Sequence, residues 1–211
     1  MTHIRHHISD EILASYASGA LAHPFSMVVA AHVSMCENCR AALAAHEVLG
    51  GAVLEDLEVE AVSPSLKDAV FDGLDRDVPL QPAPRRQGIY PGPIAEALKG
   101  KAPVWRSVGL GAKQSILHKS KSGSIRLLYI PPGQAMPDHS HGGLEMTMVL
   151  QGSVIDEGET FGVGDVEIAN EDVDHTPVAG EGAPCICIAA TDAPLRFSGL
   201  LPRLLQPVLG I

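Results

Sequence analysis

Aromatic residues are scarce in this 211-residue chain, at 4%, with one Trp, three Tyr and four Phe. A small domain with so little aromatic bulk to bury gains much from a second clamp such as a bound metal. Cations are also short, with 15 Lys and Arg against 25 Asp and Glu and a net charge of -10. That balance argues against direct binding of nucleic acid and suits a basic protein partner better. No window reaches the ~18 uninterrupted apolar residues that a membrane span needs. The first twelve residues, MTHIRHHISDEI, carry no signal-peptide core. The expectation is a cytoplasmic protein without membrane contact. Cysteine occurs four times, as Cys36-x2-Cys39 and Cys185-x-Cys187. In a reducing compartment those spacings favour metal or redox use over disulfides.

What is present divides the chain. Residues 1–78 read as helical: Ser9-Asp10-Glu11 opens a helix whose stripe is Ile12, Leu13, Tyr16 and Ala17. Further helices are expected over about 25–34 and 39–49, and an acidic amphipathic one over 65–75, of the kind that docks onto a partner. Pro79, Pro82, Pro84, Pro91 and Pro93 then mark a linker over 79–101, with one helical turn near Ile94–Leu98. Residues 102–196 alternate short β-branched and apolar runs (124–130, 144–150, 165–169, 185–190) with Gly-rich turns, the pattern of an all-β barrel or jelly roll. An apolar tail, 197–211, reads as packing on the barrel, with Leu200, Leu201, Leu204, Leu205, Val208 and Leu209 as its contacts. The stretches Glu55–Asp77 and Asp156–Glu181 are strongly acidic, the second without any Lys or Arg, and both read as solvated faces.

Two sets of residues carry chemistry. In His32-x3-Cys36-x2-Cys39 the i to i+4 step puts His32 and Cys36 on one helical face, and the C-x2-C step turns both sulfurs to one point. Tetrahedral zinc needs a fourth donor, and His7 is the candidate, with His6 the alternative. Further on, His139 and His141 are two apart and share a strand face. With Glu145 they form G-x5-H-x-H-x3-E-x6-G from Gly133 to Gly152, which matches the first motif of the cupin family. The second cupin motif keeps its spacing from Gly164 to His175, but Asn170, Asp172 and Ala179 replace its Pro, Gly and Asn. His139, His141, Glu145 and His175 suit zinc, manganese or iron. A closed zinc site would be structural or sensory. An iron site with open positions would instead make a metal-dependent cupin oxygenase, the helical part serving as an oligomerisation arm. Cys185 and Cys187 also share a face, as core residues, extra ligands or possible redox sensors.

His7 followed by His32, Cys36 and Cys39 resembles the zinc-binding anti-sigma domain. The stretch AAHVSMCENCR and the attached cupin make the whole chain similar to anti-sigma factors of the ChrR type. The resemblance implies a multidomain α and all-β fold, with a small four-helix zinc-binding domain followed by a single cupin barrel. It implies one zinc on His7, His32, Cys36 and Cys39 and a second metal in the cupin. It also implies a partner, an extracytoplasmic-function sigma factor kept from core RNA polymerase and released under oxidative stress such as singlet oxygen.

Overall fold

A computed structural model describes residues 3–74, 76–77 and 83–199. Five helices lead: α1 Asp10–Ala17, α2 His23–Val33, α3 Glu37–Glu55, α4 Leu66–Leu74 and α5 Gly92–Leu98. Asp10 and Glu11 sit in the first turn of α1, where carboxylates complement the helix dipole. Pro24 opens α2 at a position that has no amide bond to lose. Almost every face of α2 is apolar, and Phe25, Val28, Val29, Ala31 and His32 are buried, as expected of a helix surrounded by protein. α3 continues six residues beyond the end expected near Leu49, through Gly50-Gly51, because no proline stops it before Pro64. Its inner half buries Cys39 and Leu43, whereas α4 buries nothing.

The proline-rich stretch is more than a tether. α5 lies within it, with Ile94 and Ala95 buried and the helix packed on α2. A Cβ on Gly92 would collide with the Pro84 carbonyl, so only glycine allows this close approach.

Twelve antiparallel strands follow. The main sheet has the order β1-β2-β3-β11-β5-β8, from β1 (Arg106–Gly109), β2 (Ala112–Ser120), β3 (Gly123–Ile130), β11 (Cys185–Thr191), β5 (Glu145–Gln151) and β8 (Val166–Ala169). β10 (Val178–Ala179), β6 (Val154–Asp156) and β7 (Glu159–Phe161) form a second sheet, and β12 (Arg196–Phe197), β4 (His139–Ser140) and β9 (Asp174–His175) a third. β11 inserts between β3 and β5, which completes the main sheet with a strand distant in sequence.

One apolar cluster joins Leu13, Val28, Val29 and Ile94 to Ile125, Leu127, Met146, Met148 and Ile188. Helix α2 lies across β3, β5 and β11, so helices and barrel share that core. Burial of Val28 and Val29 contributes roughly 1.5–3 kcal/mol each. Phe197 is buried where β12 pairs with β4. The tail contacts expected from Leu200 to Leu209 lie outside the described residues. No helix among the described residues is long and apolar enough to cross a membrane.

Candidate functional site

The junction of α2 and α3 gathers His7, His32, Cys36 and Cys39, with one donor atom of each within 4.8 Å of the others. His32 lies in the last turn of α2, and Cys36 caps α3, its sulfur accepting from the Cys39 amide. His7 reaches them from the extended segment before α1, its Nδ1 3.3 Å from Cys36 Sγ and 3.6 Å from Cys39 Sγ. A tetrahedral zinc shell with bonds of about 2.0–2.3 Å has donor-to-donor edges of about 3.3–3.8 Å. His32 is wholly buried; its Nδ1 donates to the Gly164 carbonyl at 2.8 Å, and its Nε2 has no hydrogen-bond partner. That tautomer leaves the Nε2 lone pair for a cation. Burial holds the His32 imidazole below its ordinary pKa, in the neutral form a metal requires. Burial likewise pushes the Cys39 thiol up to about 11, so its thiolate needs a compensating cation. The donor set is compatible with zinc. His6, the alternative fourth donor, turns away and meets Glu159 and Asp165.

Inside the barrel a second cluster forms from His139, His141 and His175. β4 pairs with β9 in a register that puts His139 opposite His175. His139 Nδ1 donates to the Pro137 carbonyl at 2.8 Å, and His175 Nδ1 to Asp156 Oδ2 at 2.7 Å. In both rings this places the lone pair on Nε2, facing the cluster. His141 Nε2 and His175 Nε2 approach to 3.0 Å. Burial lowers the His139 pKa; burial, then the two neighbouring imidazoles, lowers that of His141 to about 4.

Glu145 stands outside this triplet. Its Oε2 is 3.7 Å from His141 Nδ1, on the far side of the ring from His175, and Thr147 donates to its Oε1 at 3.2 Å. Burial raises the Glu145 pKa. Cys185 and Cys187 are buried in a small apolar cluster with Ile130, Val149, Val154 and Ala179. The Cys185 thiol, then burial, pushes Cys187 well above the ordinary thiol value, and both cysteines are packed as core residues.

Three carboxylates of the stretch read as a solvated face turn inward toward the two clusters. Asp156 and Asp165 are buried, and Glu167 lies 3.7 Å from His175 Nδ1. Asp156 orients His175 in the manner of a carboxylate–histidine pair at a metal site. Burial, then a hydrogen bond with Asp156, raises Glu167 to about 8. Alternating positions on β6 and β8 were the only available signal. A fourth group, Arg126, is buried with bonds to Gln114 and Ser124, and burial lowers its pKa against the pull of Glu145.

Comparison with known proteins covers both clusters. Residues 97–193 match the family described as the ChrR cupin-like domain. Over 212 aligned residues the chain is 47% identical to the anti-sigma-E factor ChrR of Cereibacter sphaeroides, with 99% of each chain covered. It superposes on the crystal structure of Rhodobacter sphaeroides SigE in complex with the anti-sigma ChrR with a TM-score of 0.80 and 44% identity, covering 90% of this chain and 100% of that one. An RmlC-like cupin protein from Ralstonia eutropha JMP134 is 22% identical over 49% of this chain and 72% of that one, with a TM-score of 0.43.

Proposed function

Because the chain belongs to the ChrR family of anti-sigma factors, we propose that it binds an extracytoplasmic-function sigma factor and keeps it from core RNA polymerase. The observation that carries this reading is the uncovered apolar surface running from the second half of α3 to α4. Leu54 is 69% exposed, Phe71 58% and Leu74 71%. Large apolar side chains left exposed in such number along two neighbouring helices of the sequence mark a surface that is covered by a partner. The sequence from Glu55 to Asp77 is rich in carboxylates, which fit a basic partner and oppose the approach of an acidic one. The solved complex of SigE with ChrR supplies the precedent at 44% identity.

His7, His32, Cys36 and Cys39 are the residues we assign to one zinc ion, which when bound ties residue 7 to the α2–α3 pair. His139, His141 and His175, with Glu145 as the expected fourth donor, are assigned to a second ion of zinc, manganese or iron type. Release under oxidative stress such as singlet oxygen is assigned to the barrel, and the cytoplasm to the site of action. Family membership leaves the oxygenase alternative without support, since the relatives are regulators.

Co-expression with a sigma factor of this group, followed by co-purification and metal analysis, tests the reading. Capture that is lost on chelation supports it. A protein that carries its metal and captures no sigma factor refutes it.

A further inference from the structure

The helical metal cluster is not built by helices alone. The segment carrying His7 crosses the barrel at the turn between β7 and β8, where Asp165 is 3% exposed. Asp165 Oδ1 accepts from the amides of Arg5 at 2.6 Å and His6 at 3.0 Å. Its Oδ2 accepts from the Gly162 amide at 2.7 Å and lies 3.3 Å from His6 Nδ1. The Val166 amide donates back to the His6 carbonyl at 3.3 Å. The His6 ring packs on Phe161 with centroids 4.2 Å apart. His7 is the next residue. From the same turn, the Gly164 carbonyl takes the His32 Nδ1 proton at 2.8 Å. Gly164 has φ +95 and sits so close to Ile4 that an added Cβ would lie 2.6 Å from its Cδ1.

The His32 imidazole and the backbone that leads into His7 are therefore both held by five consecutive residues of the barrel. We propose that the turn Gly162–Val166 is the outer layer of the helical metal cluster, with Asp165 the positioning residue that fixes the segment bearing His7 and the Gly164 carbonyl fixing the His32 tautomer. The inference rests on the reading that His7, His32, Cys36 and Cys39 hold a metal. Outer partners of this kind hold ring orientation, and their loss weakens metal retention by ~10–100-fold. Asp165 makes no hydrogen bond to a donor atom of the cluster, so it acts through the backbone it fixes and through its charge near His32.

The test uses the full chain loaded with cobalt, whose absorption reports thiolate ligation and the symmetry of the donor shell. Asp165→Ala removes the acceptor, and Asp165→Asn keeps the shape and one oxygen. The expected result is a shifted visible cobalt spectrum and transfer of the metal to a chromogenic chelator ~10–100-fold faster for Asp165→Ala, with Asp165→Asn between it and the parent. A lower melting temperature with unchanged spectrum and transfer rate in both variants overturns the proposal, because Asp165 would then be only a staple. Absence of the thiolate–cobalt band from the parent protein overturns the underlying metal assignment instead.

Discussion

A wholly buried imidazole must satisfy two ring nitrogens, and His32 gives one to Gly164 and turns the other toward His7 and two cysteines. The residue type and spacing were legible in the sequence; the tautomer was not, because its partner lies 132 positions away. Cys36→Ser and His32→Ala are each expected to lose one metal equivalent and to weaken sigma-factor capture at least tenfold, read by elemental analysis and by titration of the partner. At Asp165, burial alone would raise the pKa, but amide bonds from His6, Arg5 and Gly162 and the His6 ring hold it below the ordinary value. A depressed folded-state pKa adds stability above the unfolded value of about 3.9 and loses it as pH falls through the folded one. The urea midpoint of Asp165→Ala should thus fall below that of the parent at pH 7, and the gap should shrink by pH 3. A gap unchanged between those pH values would contradict the charge argument. Gly164→Ala should cost about 1–3 kcal/mol, from a backbone angle that L residues avoid and from pressure on Ile4.

Among the elements, α4 and α2 are opposites. An amphipathic period made α4 legible and an Ala- and Val-rich run made α2 so, yet α4 buries no residue and α2 buries six. Substituting Phe71 and Leu74 of α4 by Asp is expected to abolish sigma-factor capture while moving the melting temperature by less than about 2 °C, since both side chains are largely exposed among the described residues. Calorimetry and co-purification of the same preparation would check both halves. Phe25→Ala in α2 should instead cost about 3–5 kcal/mol. Strands β3, β5, β8 and β11 were visible as apolar runs, but the charge run from Asp156 to Glu181 misled. Composition counts carboxylates, whereas β6 and β8 decide which of them turn toward His175.

For the whole molecule, the shared core removes the sharp boundary that the prolines implied. Helix α2 closes the barrel's main sheet, and α5 covers α2 in turn. The described residues should therefore unfold together. Trp105 reports on the barrel, where it packs near Tyr129, and far-ultraviolet dichroism is dominated by the helices. Both signals should give one denaturant midpoint; two separated transitions would show that the core is not continuous.

Local rules settled a good deal from the sequence alone. Helix and strand periods, the Cys-x2-Cys step and the His-x-His step depend on neighbours a few residues apart, and these singled out His32, Cys36 and Cys39 at the α2–α3 junction and His139 and His141 at β4, which the structure gathers into two clusters. Tertiary structure alone decided that Glu145 faces the outer nitrogen of His141, that Asp156 orients His175, and that Asp165 and Gly164 of the barrel brace the helical cluster. Those contacts join residues with no fixed separation along the chain, so only the packing of α2 and the His7 segment against the barrel could select them.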